Sequence, residues 1–103
     1  MNKTTILNYL TSIKYKYKEE GLIIKALFGS YSRGEEEIDS DVDILVEATP
    51  KFAKTYSFRS VERLLAIQDE ISKALDGVSV DFADSTGMSK TAKKFILDRA
   101  IYV

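Results

Sequence analysis

The sequence predicts an α+β fold, an α/β-type arrangement in which helices flank a small mixed β-sheet. Segments with helical periodicity and short apolar or alternating segments follow in the order helix, strand, strand, helix, strand, helix. With 103 residues, one proline and five glycines, the chain is expected to form a single domain over residues 1–103 without a long linker.

The first third of the chain predicts a helix, a buried strand and a turn. Apolar side chains spaced three or four residues apart predict one face of the helix: Ile6, Leu10, Ile13 and Tyr17. Gly21 is placed to end that helix. Leu22–Phe28 is apolar except for Lys25, which is typical of a buried strand. Gly29 and Ser30 interrupt the apolar run, and a short helical turn is expected after them.

The middle of the chain predicts a second strand, a loop and a second helix. Asp41–Glu47 alternates between apolar and mostly acidic residues, as a strand with two different faces does. Thr49–Ser57 is interpreted as a loop because Pro50 lies in it. Five apolar residues then predict a helix closed by Gly77: Val61, Leu64, Leu65, Ile71 and Leu75.

The last part of the chain predicts a third strand, a capped helix and a short final strand. Val78–Ala83 alternates again, with Asp81 on the face opposite Val80 and Phe82. Ser89 is a suitable N-cap for a helix that extends through Leu97. The segment Arg99–Val103 is then expected to form a short strand.

Composition and charge exclude several classes of protein. Cysteine and histidine are absent, so carboxylates, lysine, tyrosine or serine must supply any acid–base or metal chemistry. No apolar run reaches the ~20 residues of a membrane span, and no signal peptide is visible, so a cytoplasmic protein is expected. Residues 1–34 carry a net charge of +4, whereas 35–48 hold seven acidic residues and no basic one. This distribution favours a cation site over direct nucleic-acid binding.

Gly29 and Ser30 form a candidate phosphate-binding turn. A glycine at a strand end lets backbone N–H groups face an anion, and the Ser30 hydroxyl adds a donor. Taken alone, the pair is better explained as an ordinary tight turn, because Gly-Ser pairs are common in turns. The spacing between Gly29 and Gly34 is similar to that in a Walker A motif, but Glu35 follows where lysine is required, so a P-loop is excluded.

Asp41 and Asp43 form a candidate metal-binding pair. Two residues apart on a strand, they share a face at about 7 Å, and Mg²⁺ prefers one or two carboxylates together with phosphate oxygens. A solvated strand end is the alternative. An EF-hand loop starting at Asp39 is excluded, because Ile44 replaces its glycine and Pro50 its final glutamate.

Asp81 is the third candidate carboxylate. Aspartate disfavours strand interiors, and an unpaired buried charge is unfavourable, so a metal or partner would explain it. If its strand pairs near Asp43, three carboxylates converge. Asp84 is a rival, but it lies at the strand end before Ser85, where a turn or cap is the better explanation.

Other charged residues allow weaker interpretations. The run Glu35–Glu37 is typical of a solvated loop, and Arg33 either reaches a phosphate or balances that run. Three lysines on the last helix form a solvated side or contact a phosphate or partner: Lys90, Lys93 and Lys94. The sequence assigns no contact to Tyr31 or Ser32.

Three motifs together resemble the DNA polymerase beta-like nucleotidyltransferase superfamily. They are Gly29-Ser30-x-Ser32-Arg33-Gly34, then Ser40-Asp41-x-Asp43-Ile44-Leu45-Val46, then Val80-Asp81-Phe82. Within it, the chain resembles the minimal nucleotidyltransferases of the MNT type, many of which are antitoxins encoded beside a HEPN-domain partner. Each motif alone is weak, but their order and spacing are specific.

The resemblance implies roles for individual residues. Gly29 and Ser30 would hold the β- and γ-phosphates, with Arg33 as a further phosphate contact. Asp41, Asp43 and Asp81 would be catalytic and would ligate two Mg²⁺ ions. The reaction would move AMP from ATP to an acceptor hydroxyl, a tyrosine of a HEPN-type toxin in the antitoxin subgroup. No base-gripping second domain is visible, so the partner or a second copy would complete the cleft.

Two alternatives remain open from the sequence. The chain could be a binding antitoxin that neutralises its partner by complex formation alone. It could also nucleotidylate a small molecule such as an aminoglycoside, although no substrate domain is visible.

Overall fold

The chain folds around one four-stranded sheet. The computed structural model describes residues 1–103, with two 3₁₀ turns at Ser57–Arg59 and Ser85–Gly87. The helices and strands are α1 (Lys3–Lys18), β1 (Leu22–Phe28), α2 (Ser30–Arg33), β2 (Val42–Ala48), α3 (Pro50–Tyr56), α4 (Ser60–Ala74), β3 (Val80–Asp84), α5 (Lys90–Leu97) and β4 (Ile101–Tyr102). The sheet order is β3-β2-β1-β4, and only β2 and β3 run parallel. The predicted α+β fold with a mixed sheet is confirmed.

The two faces of the sheet have different roles. Val42, Ile44 and Val46 of β2 point to one face and are fully or almost fully buried under α1, α3 and α4. Asp43 and Leu45 alternate with them and point to the opposite face, which we call the site face. The alternation predicted for Asp41–Glu47 is therefore confirmed, because the apolar set packs against the helices.

A β-bulge in β1 accounts for the one polar residue of that strand. The register with β2 shifts between Ile24 and Ala26, so that Lys25 is the extra residue. Ile24 and Leu27 can then both pack in the core, although they are three positions apart and would point to opposite faces of a regular strand. The bulge leaves Lys25 half-buried, with its ammonium 3.4 Å from a carboxylate oxygen of Glu47.

The first helix is present as predicted, but it ends at Lys18, three residues before Gly21, the residue predicted to close it. Ile6, Leu10 and Tyr17 are buried, and Asn2 caps the N-terminus by accepting a hydrogen bond from the Thr5 N–H at 2.9 Å. After the helix ends at Lys18, Gly21 has a φ of +93°, which a residue with a Cβ rarely adopts. A Cβ there would lie 2.5 Å from the backbone nitrogen of Phe52.

The interpretation of Thr49–Ser57 as a loop is wrong. Pro50 is the first residue of α3, a position where the missing N–H costs nothing and the fixed φ suits a helix. Phe52 is fully buried in the core and packs against the Tyr56 ring, with 5.0 Å between the ring centroids. The core contact of Phe52 stabilises a helix that is too short to be stable alone.

Helix α4 exists as predicted, but two of the residues assigned to its apolar face lie elsewhere. Ile67, Ile71 and Leu75 are buried and recur every four residues, and they define the side that packs on the sheet. Val61 and Leu65 are 68% and 58% exposed because this spacing turns them away from the sheet.

The C-terminal elements agree with the sequence. Ser89 caps α5, accepting a hydrogen bond from the Ala92 N–H at 3.1 Å, and the expected final strand is β4. Asp84 has the capping role preferred for it, since its carboxylate accepts from the Thr86 N–H at 3.0 Å. None of the helices combines the length and apolar character that crossing a lipid bilayer demands.

A polar network ties α1, α3 and α4 together beside the core. The Arg63 guanidinium donates two hydrogen bonds of 2.8 Å to the Glu20 carboxylate. Tyr56 donates to the same carboxylate, and Tyr17 donates to Glu70 at 2.7 Å. Hydrogen bonds from Arg63 lower the pKa of Glu20, and burial followed by the bond to Glu70 raises the pKa of Tyr17.

Replacing Arg63 by alanine is expected to lower the free energy of unfolding by about 1.5–3 kcal/mol, because Glu20 loses charged donors while remaining mostly buried. The pKa of Glu20 is depressed, so its stabilisation is complete above the ordinary carboxyl value of 4.5 and disappears as the pH falls through the lower folded value. Urea unfolding should therefore show the gap between wild type and variant closing in acid. Lys73→Ala, which removes only an exposed ion pair with Asp69, is the control and should change little.

Candidate functional site

The turn after β1 lies directly against a carboxylate. Gly29 precedes α2 with a φ of +77°, and a Cβ there would collide with the side chain of Asp43. Glycine is therefore required for both backbone conformation and space. The first N–H groups of α2, beginning at Ser30, have no acceptor within the helix, because no helical turn precedes them.

The two motif residues without an assigned contact have structural roles. Tyr31 is buried in the hydrophobic core. Ser32 is 6% exposed, and its hydroxyl donates a 2.8 Å hydrogen bond to the Gly29 carbonyl. Ser32 thus stabilises the turn through its hydrogen bond to the Gly29 backbone, a role that the sequence pattern alone could not reveal.

The parallel pairing of β2 and β3 places two of the predicted carboxylates side by side. Asp43 is the register partner of Asp81, so both side chains leave the site face in the same row. Asp41 precedes β2 by one residue and lies two residues from Asp43, near enough for its charge to act on the Asp43 carboxyl. Phe28, the residue before Gly29, is the partner of Asp43 on the other side, which brings the turn into the same row.

The charges in this row repel one another. Burial raises the pKa of the Asp43 carboxyl above its ordinary value, and the charges of Asp81 and then Asp41 raise it further. Arg33 opposes the shift. A carboxylate that is partly desolvated and faces two other carboxylates is a position where a bound cation would relieve repulsion.

The donor chemistry of this row fits a hard cation, although the ligands are not drawn together. Carboxylate oxygens are the ligands that Mg²⁺ prefers. No group of three or more acidic side chains lies close enough to hold an ion as the side chains stand. Asp41 and Asp81 are exposed, so both have room to turn toward Asp43.

Asp81 was predicted to be a buried carboxylate, and this prediction is wrong because Asp81 is exposed. Asp81 is the second residue of β3, and β3 is an edge strand, so the carboxylate is exposed. Its charge therefore requires no buried partner, and its position opposite Asp43 is the stronger argument for a role. The carboxylate also faces solvent, from which a second substrate can reach it.

Two arginine side chains pair with Glu35, in the segment after α2. The Arg33 Nε donates to Glu35 at 3.2 Å, and Arg99 lies 3.5 Å from the same carboxylate. Glu35 and Glu37 are exposed as predicted for a solvated loop, but Glu36 has one buried carboxylate oxygen without a hydrogen-bond partner. Lys90, Lys93 and Lys94 are exposed on α5.

Comparison with known proteins shows which protein family the chain belongs to. The sequence profile of the nucleotidyltransferase domain family matches residues 10–103. The chain belongs to this family and is a nucleotidyltransferase. It is 34% identical over 101 residues to the protein adenylyltransferase MntA of Thermococcus cleftensis, covering 95% of this chain and 92% of that protein. A protein of Methanocaldococcus jannaschii, provisionally named a protein adenylyltransferase, is 35% identical over 92 residues, covering 88% and 83% of the two chains.

Solved structures narrow the class to the minimal members. One solved structure is described provisionally as a minimal nucleotidyltransferase. The match covers all of this chain and 97% of the solved chain, with a TM-score of 0.74 and 25% sequence identity. The resemblance to the minimal nucleotidyltransferases is confirmed. A toxin–antitoxin structure with AMP-PNP also matches. The match covers 99% of this chain and 72% of the solved chain, with a TM-score of 0.57 and 24% sequence identity, and it shows that the two share a fold.

Proposed function

We propose that this nucleotidyltransferase transfers AMP from ATP to a tyrosine hydroxyl of a HEPN-type toxin and thereby acts as its antitoxin. The observation that carries the proposal is the row in which Asp43 stands beside Asp81 and against the Gly29 turn. The name of the Thermococcus relative supports protein adenylylation, and the toxin–antitoxin structure of the same fold supports a toxin partner.

In the proposed site, one group of residues binds the phosphates and a second group holds metal ions. Backbone N–H groups at the start of α2 and the Ser30 hydroxyl bind the β- and γ-phosphates, and Arg33 adds a positive charge. Asp41, Asp43 and Asp81 would hold Mg²⁺, as expected for a two-metal site. When bound, these ions neutralise phosphate charge and lower the pKa of the attacking hydroxyl.

The exposed carboxylate of Asp81 is placed to meet the acceptor. An acceptor from a second protein must approach from solvent, and Asp81 lies on the edge strand facing it. We assign to Asp81 the orientation of the hydroxyl and acceptance of its proton. The acceptor oxygen then bonds to the α-phosphorus as the bond to pyrophosphate breaks.

The test is to incubate the purified chain, ATP and Mg²⁺ with the protein encoded by the neighbouring gene, and to locate added AMP by mass spectrometry. We expect AMP on a tyrosine of the partner and loss of the partner's toxicity. AMP on a residue other than tyrosine would change the proposed acceptor. If the partner carries no AMP at all, the proposal is contradicted.

A binding antitoxin that acts by occlusion is the second candidate. Three apolar side chains near the start of α4 are exposed and could pack against a partner: Phe58, Val61 and Leu65. This candidate predicts that Asp81→Ala still protects cells from the toxin. Loss of protection with an intact complex would rule it out.

A further inference from the structure

A cavity of about 340 Å³ opens between the site face of the sheet and α5. Leu45 lines it from the sheet, and Ile96 and Leu97 line it from the helix. Lys25 and Glu47 are also among its lining residues. The volume is at the small end of the range for sites that take organic ligands. None of its lining residues has a task in the reaction proposed above.

The cavity begins one row of side chains away from the carboxylates. Leu45 follows Asp43 by two residues on β2 and therefore points to the same face about 7 Å further along the strand. Its register partners on that face are Ala83 and Ala26, whose small side chains leave room above the sheet. Glu47 lies two residues beyond Leu45. A ligand held at Asp43 can therefore continue along β2 into the cavity.

The lining suits a flat ring with polar edges. Leu45 and Leu97 provide apolar surfaces, one from the sheet and one from the helix. The Lys25 ammonium and the Glu47 carboxylate lie 3.4 Å apart, and the ammonium keeps further donors and the carboxylate a further acceptor oxygen for a ligand; both side chains are about a third exposed. A nucleobase needs this combination, apolar contact for its faces and hydrogen bonds for its edge.

We propose that this cavity binds the ribose and base of the nucleoside triphosphate whose phosphates lie at Gly29 and Asp43. The inference rests on the proposed function, since it takes the phosphate position from it. Asp43 and Glu47 are four residues apart on β2, a path of about 13 Å, which is long enough for a ribose and a base. The minimal domain would then hold its own nucleotide, and the partner would supply only the acceptor.

The experiment compares two probes on the full chain by calorimetry, ATP and inorganic tripolyphosphate, each with Mg²⁺. Leu97→Trp fills the cavity from α5, at a side chain that is already 41% exposed and tolerates enlargement. We expect the Kd for ATP to rise about tenfold or more and that for tripolyphosphate to stay within about twofold. Met88→Trp, from the segment before α5, should act in the same way.

Phe95→Trp is the matched control, because Phe95 is on the same helix, is 84% exposed and does not line the cavity. Unchanged ATP affinity in both filled variants would overturn the inference, as would equal affinity of the wild type for the two probes. Lost transfer at unchanged ATP affinity would assign the cavity to the acceptor instead. Failure of the wild type to bind either probe would overturn the phosphate site itself, and the cavity proposal with it.

Discussion

Replacing Asp43 by asparagine is expected to lower the rate of nucleotide transfer by about a thousandfold or more. Asp43 is the carboxylate that the structure places next to Asp81, Asp41 and the Gly29 turn. An amide of the same shape keeps the packing but removes a charged ligand, and metal ions supply several kcal/mol of transition-state stabilisation. The measurement is single-turnover transfer at saturating Mg²⁺ and ATP.

The same variant should be at least as stable as the wild type in the absence of divalent cations. Burial and the neighbouring carboxylates disfavour the charged form of Asp43, so the amide relieves repulsion. Asp84→Asn is the matched control, because that carboxylate caps Thr86 and asparagine caps equally well. Full activity in the Asp43 variant, or an equal loss in the control, would remove Asp43 from the reaction.

Replacing Gly29 by alanine is expected to lower activity by about a hundredfold and stability by about 1–3 kcal/mol. The methyl group would collide with the Asp43 carboxylate, and the φ of +77° is strained for alanine. Displacing a reacting group by about 1 Å is sufficient for such a loss of rate. Transfer kinetics and urea unfolding measure the two effects separately.

Gly34→Ala separates backbone strain from the collision. Gly34 has a similar φ of +71°, at the other end of α2, but a Cβ there meets nothing within 4 Å. The Gly34 variant should lose some stability and keep its activity. Equal loss of activity in both variants would show that the turn conformation, and not the contact with Asp43, sets the effect.

Local patterns were sufficient to predict most of the fold. The strand Leu22–Phe28 and the helix capped by Ser89 have the predicted positions, because apolar runs and caps act over a few residues. Helix α3 could not be predicted in this way. Pro50 is compatible with a loop or a helix start, and the contact of Phe52 with a distant part of the core decides between them.

The candidate site was predictable in its residue types but not in its arrangement. The convergence of Asp43 and Asp81 depends on the register of two parallel strands, which pair across some forty residues of chain. The bulge at Lys25 and the contact between Gly29 and Asp43 likewise arise only when the sheet forms. Helix periodicity cannot show that Val61 and Leu65 face away from the sheet until the packing of α4 is known.

The most direct test of the proposed transfer is to follow ³²P from ATP labelled at the α- or the γ-position, with the chain, Mg²⁺ and the toxin partner that we propose. Transfer of AMP predicts label on the partner from the α-position only, absent with Asp43→Asn and retained with Asp84→Asn. Label from the γ-position, or undiminished α-label with Asp43→Asn, would contradict the account.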